Sequence, residues 1–413
     1  MAFVEDLPAS LHARTPEIGR VRWELAVWLA DHGGRRTALA DLMGDLGMRL
    51  IEADVPVSRI AVALRDYHPE FVGRQYNWRL GRGVEQVDRR YVQVVNEVYA
   101  QSPIRVIADG AAALRRRLTG KTAQIDFPVL KELAADGVTD YVALPLLFSD
   151  GSRQFVAFAS NAEPGFRADQ LAYLETLLPQ LRQRIEVEYA RQLADRVLEV
   201  YLGSYAAPRV LGGEVRRVRG QAIRAIVLAS DLRGFTHLTD SHDADTVFAA
   251  LSAFYDAVAE PVLTAGGDIV KMIADGILAV FPLPETADAA ADCVIACGAL
   301  RAVQAAHERL SGLGPQVLPD GVEKLRAGFA LHAGEVTFGN VGSRARLDFT
   351  LIGPAVNEAF RIEAMTKTLG QPILMSAAFA ALAGDTAVVP AGVHALRGVR
   401  EAKELFVPAG APA

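Results

Sequence analysis

Two aspartates of this 413-residue chain stand where a carboxylate can do chemistry. Asp231 closes the apolar run Ile226-Val227-Leu228-Ala229-Ser230 and precedes Leu232-Arg233-Gly234-Phe235-Thr236. Asp275 stands in Lys271-Met272-Ile273-Ala274-Asp275-Gly276, between two further apolar runs. Each is expected where a buried strand meets a tight turn. Two carboxylates on neighbouring strand ends can hold a pair of divalent cations, which clamp the attacking and leaving oxygens of a phosphoryl displacement. Hard cations take oxygen donors, so the carbonyl of Leu232 is a further candidate ligand. Asn357 and Arg361 lie four residues apart, on one face of an expected helix. They could aim a donor and a fixed positive charge at one phosphate. Phe235 and Thr236 open another helix, where backbone N–H groups could cradle phosphates. Plainer readings exist for single residues: Asp275 alone is an ordinary Asp-Gly turn residue, and Gly234-Phe235-Thr236 alone a connecting turn.

The elements that must position these residues follow from apolar patterning. Strand signals at 223–230, 267–273, 276–281, 324–332 and 335–341 alternate with helical ones at 242–264, 286–311 and 354–369. Asp275-Gly276 reads as a hairpin turn. Such alternation predicts an α+β domain, an antiparallel-centred sheet with helices on one side. No internal repeat is visible.

The first half has a different pattern. Residues 15–55 read as helical, with Leu25, Val27, Leu29, Leu39, Leu42, Leu46 and Leu50 near the helix period. Residues 59–65 read as a strand. Tyr141 to Phe148 and Phe155 to Ala159 flank Ser149-Asp150-Gly151-Ser152, a hairpin. From Leu171 the residues Leu174, Leu178, Leu181 and Ile185, then Leu193, Val197 and Val200, form the seam of a short coiled coil. A helix packed on its own domain is the alternative. Gly203, Pro208, Gly212 and Gly213 break that helix. The expected organisation is a regulatory domain over 1–170, a helical coiled-coil linker over 171–220 and a catalytic domain over 221–413. Tyr67-His68-Pro69-Glu70 and Tyr76-Asn77-Trp78 form an aromatic and polar cluster. It reads equally as a ligand pocket or an irregular loop.

Composition narrows the class. Apolar residues make up 51% of the chain, enough for two cores. The net charge of −6 and the absence of a basic tract argue against nucleic-acid partners. Cys293 and Cys297, four apart in an Ala-rich segment, read as small core residues in a reducing compartment. Met1 to Pro8 lack the features of a signal peptide, and no apolar run approaches the ~18 residues of a membrane span. A cytoplasmic protein is expected.

Four blocks, Ser230 to Thr236, Gly267 to Gly276, His332-Ala333-Gly334-Glu335-Val336 into Gly339-Asn340-Val341-Gly342, and Phe349 to Asn357 ending at Arg361, stand in order. Together they resemble the catalytic domain of class III nucleotidyl cyclases over roughly residues 220–407. The first half resembles a GAF-like domain in pattern and position. The resemblance implies a ferredoxin-like, palm-type catalytic fold behind a GAF-like α+β domain and a coiled-coil linker. It also implies attack of a ribose 3′-oxygen on the α-phosphorus of a nucleoside triphosphate, with loss of pyrophosphate. Asp231 and Asp275 would bind two Mg²⁺ or Mn²⁺ ions per site. Arg361 would stabilise the pentavalent phosphorus and Asn357 orient the ribose. Lys271 and Thr350 occupy the base-reading positions; lysine there goes with adenine, and threonine resembles a subgroup that includes bicarbonate-responsive cyclases. Arg397 replaces a usual triphosphate-binding lysine, and Pro354 a frequent aspartate. In such enzymes the carboxylates come from one subunit and the Asn and Arg from the other. The expectation is therefore a homodimeric adenylate cyclase that converts ATP to cyclic AMP, dimerised through the catalytic domain and coiled coil. An unidentified small-molecule or ionic effector of the first domain would control it. A guanylate cyclase and a silent ATP-binding module are the alternatives. Gly266-Gly267-Asp268 also matches the opening of a diguanylate cyclase signature, without its continuation.

Overall fold

The computed structural model describes residues 16–31, 38–65, 71–90, 97–214, 220–286, 288–384 and 387–410. Residues 1–8 and the Tyr67-His68-Pro69-Glu70 cluster lie outside them. The chain divides into two compact units, Met1–Val197 and Leu198–Ala413.

The first unit contains helices α1 (Pro16–Ala30) and α2 (Leu39–Glu52), then strands β1 (Arg59–Arg65), β2 (Phe71–Arg79) and β3 (Gly83–Arg90). Helices α3 (Glu97–Ala100) and α4 (Pro103–Ala108), strand β4 (Leu114–Arg117) and helix α5 (Pro128–Ala135) follow. Strands β5 (Asp140–Leu147) and β6 (Arg153–Ser160) lead into the long helix α6 (Ala168–Leu202). The six strands form one sheet in the order β3-β2-β1-β6-β5-β4, with each described neighbouring pair antiparallel.

Strand alternation gives this sheet two buried faces. Ile60, Val62 and Leu64 of β1 pack with Leu25, Leu42, Leu46 and Leu50 of the first two helices. Ala61 and Ala63 face α4 and α5 through Ile107, Leu130 and Leu133. Val27 departs from the helical stripe and is exposed. Tyr76-Asn77-Trp78 is neither a pocket wall nor a loop: it is the end of β2. Tyr76 and Trp78 are core residues on one face, and Asn77 is buried on the other. The first half of the expected coiled-coil seam packs within the unit. Leu174, Leu181 and Ile185 are buried in the unit's own core beside Tyr173 and Leu177. A helix can present this stripe to its own sheet as readily as to a second helix, and spacing alone does not separate the two.

The second unit begins with helix α7 (Ala206–Leu211) and strand β7 (Gly220–Leu232). Helices α8 (Phe235–Ser241) and α9 (Ala244–Thr264), the hairpin of β8 (Asp268–Ile273) and β9 (Gly276–Pro282), and helix α10 (Ala289–Ser311) come next. Strands β10 (Ala327–Gly342) and β11 (Leu347–Ile352), then helix α11 (Pro354–Leu369), complete the segment that carries the motifs. Strand β12 (Ile373–Ser376), helix α12 (Ala377–Ala383) and strands β13 (Val388–His394) and β14 (Lys403–Pro408) close the unit. The sheet runs β13-β14-β12-β10-β7-β9-β8, and β11 pairs with the far half of β10. Only the β10–β12 pairing is parallel among the described strands.

Helices cover both faces of this sheet rather than one. Ile226 and Leu228 of β7 pack on α9, α10 and α12. Ala225, Val227 and Ala229 pack on the opposite face against α7 and α11. A strand buried on both faces must be continuously apolar, and this is why residues 225–229 show no alternation. The two strands expected at 324–332 and 335–341 are one. It passes through Gly334, where an added Cβ would lie 2.8 Å from the Ala355 side chain. Glycine there permits close approach of α11.

Helices α9 and α10 are long and apolar enough, in length and composition, to cross a membrane. The sequence reading did not anticipate this, because abundant alanine raises mean hydropathy without a run of large apolar residues. Both helices contribute Phe254, Val258, Leu300 and Val303 to the core. Cys293 and Cys297 are free and half-buried, their thiols directed at the carbonyl of Ala383.

Candidate active site

Asp231 is the penultimate residue of β7 and pairs across the ladder with Gly276 of β9 and Gly328 of β10. Asp275 immediately precedes Gly276, so the two carboxylates lie on adjacent strand ends. The hairpin's central residues are Ala274-Asp275 rather than Asp275-Gly276, since Ile273 pairs with Gly276. Ala274 takes the positive φ of 50° that a tight hairpin requires. The Tyr255 hydroxyl of α9 donates to its carbonyl, and the Leu232 N–H donates to the Asp275 carbonyl (2.8 Å). The turn is thus pinned from a helix and from the neighbouring strand.

Both neighbouring glycines matter. A Cβ on Gly276 would sit 3.7 Å from an Asp231 carboxylate oxygen. A Cβ on Gly328 would collide with Arg233, Thr366 and Glu363. Those three side chains form a tie the sequence reading missed. Arg233 lies 3.8 Å from the Asp231 carboxylate and 2.8 Å from Glu363 of α11, and it also donates to the Thr366 hydroxyl. Its signal was present as a polar i, i+3 pair on the otherwise apolar face of α11.

Burial, and then the charge of Asp275, push the Asp231 carboxyl above its ordinary pKa; Arg233 opposes them. A divalent cation would reverse that repulsion. Among the described residues no group of three or more His, Cys, Asp or Glu side chains could hold a metal. The protein therefore offers two carboxylates and nearby backbone oxygen, leaving the remaining positions to water and substrate. That donor set fits Mg²⁺ or Mn²⁺, which are commonly held by one or two carboxylates plus phosphate oxygens.

Strand β8 bulges between Ile269 and Lys271. A bulge re-aims the following side chain. The Lys271 ammonium meets the Asp348 carboxylate of β11 in a close ion pair. Thr350 follows Asp348 by two residues, so both lie on one face of β11, opposite the buried Phe349 and Leu351. Lys271 and Thr350 are thus brought to the same region, with Asp348 as an unforeseen third member.

Helix α11 starts at Pro354, a first-turn position proline suits. It buries Ala355, Val356, Ala359, Ile362 and Glu363. Asn357 is exposed and Arg361 half-exposed, on the side away from the sheet. A Cβ on Gly398 would lie 3.6 Å from an Arg361 guanidinium nitrogen, which places Arg361 beside the loop that holds Arg397. Neither Asn357 nor Arg361 forms a hydrogen bond or ion pair with Asp231 or Asp275 among the described residues. Lys271 and Thr350 thus meet where β8 lies beside β11, Arg361 lies beside the Arg397 loop, and Arg233 links the Asp231 carboxylate to Glu363 of the helix that carries Asn357 and Arg361. Phe235 packs against the core and Thr236 is exposed at the start of α8, where Gly234 adopts φ 78°.

Residues 221–407 match the model of the family described as the adenylate and guanylate cyclase catalytic domain. Over 178 residues the chain is 30% identical to adenylate cyclase 1 of Rhizobium meliloti, covering 43% of this chain and 26% of that protein. Over 217 residues it is 29% identical to the adenylate cyclase of Anabaena cylindrica, covering 51% and 41%. The chain therefore spans about a quarter to two fifths of the length of these curated relatives. A solved structure of the adenylyl cyclase CyaB from P. aeruginosa aligns with a TM-score of 0.41 at 27% identity, over 46% of this chain and 95% of that one. The guanylyl cyclase Cya2 aligns with a TM-score of 0.39 at 27% identity, over 46% and 94%.

Proposed function

With residues 221–407 a member of the adenylate and guanylate cyclase catalytic domain family, we propose that the protein is an adenylate cyclase. It converts ATP to 3′,5′-cyclic AMP and pyrophosphate at sites shared across a homodimer. The observation that carries this reading is the carboxylate pair, Asp231 and Asp275, held on adjacent strand ends.

In the reaction the ribose 3′-oxygen bonds to the α-phosphorus as the bond to the pyrophosphate oxygen breaks. The 3′-hydroxyl proton passes to solvent or to the departing group. Two Mg²⁺ or Mn²⁺ ions held by Asp231, Asp275 and the Leu232 carbonyl would supply Lewis acidity to the oxygens involved. The chain's own task is to fold one substrate into in-line geometry and hold it there. Arg361 presents a planar guanidinium to the α-phosphate as charge accumulates. Asn357, one helical turn earlier, orients the ribose. Arg397, beside Arg361, takes the triphosphate, together with backbone N–H groups at Phe235 and Thr236.

Base choice follows from Lys271 and Thr350. Ring nitrogen N1 of adenine accepts from an ammonium, and the 6-amino group donates to a hydroxyl. Guanine presents an N1–H that an ammonium cannot satisfy, leaving polar groups unpaired. Asp348 holds the Lys271 chain at a fixed position before the base arrives.

In the homodimer a second copy would bring its Arg361 to the first copy's Asp231. The first unit, a six-stranded antiparallel sheet between helices, supports a GAF-like regulatory role. A route to the site begins just past α6. The buried Asp268 carboxylate opens β8, the strand of Lys271. It accepts from the Ser204 N–H (3.1 Å), the Ser204 hydroxyl (2.9 Å) and the Tyr205 N–H (2.9 Å).

A competition assay tests the proposal. Purified protein receives equal ATP and GTP with Mg²⁺ or Mn²⁺, and both cyclic products are quantified beside Asp275→Ala. Cyclic AMP that disappears in the variant supports the carboxylate assignment and the base reading. Dominant cyclic GMP overturns the base reading, and no product with either metal points to a silent module.

A further inference from the structure

Arginines in the first unit are, as a rule, paired. Arg74 is held by Asp88, Arg105 by Asp109, Arg115 by Asp140, Arg116 by Asp126, and Arg167 by Asp54 and Asp169. Arg59, Arg79 and Arg82 are among those that are not. None of the three forms an ion pair among the described residues. Arg59 and Arg79 are direct cross-strand partners on β1 and β2. Like charges opposite each other on a sheet face are destabilising, so this juxtaposition works against the fold unless something sits between the charges.

The surroundings deepen the anomaly. Arg59 shares its face with Ala61 and Ala63, the side of the sheet that faces α4 and α5. Its nearest polar partner is the neutral side-chain oxygen of Asn77, at 3.4 Å. The Arg79 Nε is buried with no hydrogen-bond partner. Burial and the Arg79 charge both lower the Arg59 pKa, against weaker attraction from Tyr141, Asp136 and Glu132. A buried donor left unpaired carries a desolvation penalty that a ligand oxygen would remove.

These arginines border a cavity of about 320 Å³ at the β1–β2 end of the sheet. Arg59, Arg79 and the exposed Arg82 line it. Leu133 and Val138 form an apolar wall, while Ser58, Asp136 and Asn161 add polar groups. Three guanidiniums against one carboxylate leave the cavity strongly cationic. Its volume is at the lower end for ligand sites, and suits a metabolite of modest size better than a nucleotide.

We propose that this cavity binds a small oxyanion-bearing metabolite, with a carboxylate or phosphate group held between Arg59 and Arg79 and a further anionic or polar group near Arg82. Paired guanidinium forks suit planar carboxylate and phosphate oxygens through parallel charge-assisted hydrogen bonds. Asp136 and Asn161 are placed to take a ligand hydroxyl or amine. The anion would replace cross-strand repulsion by bridging attraction and satisfy the orphaned Arg79 Nε. This site names the chemical class of the first unit's effector. It stands on that unit's sheet alone, whether or not the second unit cyclises ATP.

Isothermal titration calorimetry on the full chain tests it, in EDTA so that the second unit holds no metal. Sodium phosphate and sodium succinate are titrated separately against sodium chloride at matched ionic strength, for wild type and for Arg79→Gln, Arg59→Gln and Arg82→Gln. The expected result is saturable one-to-one binding of at least one oxyanion. Affinity should fall about ten-fold or more in Arg79→Gln and Arg59→Gln and by a smaller factor in Arg82→Gln, following the loss of charge-assisted contacts. Phosphate binding alone assigns a phosphorylated ligand, and succinate binding alone a carboxylate. Absence of saturable binding of either anion to wild type overturns the proposal. So does binding that persists unchanged in Arg79→Gln, which would place the anion elsewhere, the second unit included. Arg82 is exposed, so Arg82→Gln keeps the test open if a deeper variant fails to fold.

Discussion

The two units place like charges side by side in the same way and with opposite sign. In the second unit Asp231 ends β7 next to Asp275, with burial and mutual repulsion raising the Asp231 pKa. In the first, Arg59 opens β1 opposite Arg79, with burial and mutual repulsion lowering the Arg59 pKa. Each pair sits at a sheet end, where side chains meet solvent and a ligand can enter. The difference lies in what surrounds them. The acidic pair is embedded in a run of motif residues and tied to α11 by Arg233, whereas the basic pair has no local signature. Function at a sheet end needs only two strands in register, and motif density measures how much further apparatus the chemistry requires.

The largest effect that would break this comparison is loss of catalysis. Asp275→Ala and Arg361→Ala should each lower cyclic AMP formation by about a thousand-fold or more, as removal of comparable phosphate-stabilising groups does. Mixing the two inactive chains should restore activity, because one shared site of the mixed dimer then keeps both an intact Asp275 and an intact Arg361. No recovery on mixing would mean the site is complete within one chain.

Specificity should change less. Asp348→Asn leaves Lys271 without its anchor, and the ATP-over-GTP ratio of kcat/KM should fall about ten-fold, the scale of one imperfect polar contact. An unchanged ratio would remove Asp348 from base selection.

Next in size is the link between α6 and β8. Asp268→Ala removes three hydrogen bonds at a buried position and should destabilise the second unit by about 1–3 kcal/mol, read as a lower urea midpoint. Gly203, with φ 83°, should tolerate alanine poorly, because an added Cβ would be strained there and would lie 2.9 Å from the Ile269 carbonyl oxygen.

The shared repulsion itself gives a smaller, symmetrical effect. In EDTA and without added oxyanion, Asp231→Asn and Arg79→Gln should each melt at or slightly above the wild-type temperature, since each removes one of two opposed like charges. A clear fall in either would show that the charge supports the fold.

The smallest is an acid slope. Burial lowers the pKa of His332, whose Nδ1 lies 4.0 Å from Glu358. The folded protein therefore holds it neutral while the unfolded chain takes up a proton near pH 6.5. Stability should fall as pH drops below about 6.5 and level off beneath the folded pKa. His332→Gln should flatten that slope in a pH series of denaturation midpoints.

Much of the second unit was legible because its signals are local. The run ending at Asp231, the Asp-Gly dipeptide and the Asn357–Arg361 spacing each fix a strand end, a turn or a helix face within a few residues. The short strands β12, β13 and β14 and helix α12 carried no such signal, since elements of four to seven residues show too little of a period to be read. In the first unit, helix, strand and hairpin positions were legible, and partners were not.

Sequence by itself determined which residues lie on which side of an element: the apolar periodicities, the turn chemistry and the order of the four motif blocks. Backbone geometry fixes these at periods of 2 and 3.6 residues, so they can be read without knowing what lies opposite. Tertiary structure decided everything that depends on register between segments. It gave Leu174, Leu181 and Ile185 to the unit's own core. It set Asp348 against Lys271, and tied Arg233 to Glu363 across 130 residues of chain. It also brought Arg59 opposite Arg79. Such pairings depend on which segment lies beside which, and between strands a one-residue slip would turn a side chain such as Arg59 to the other face.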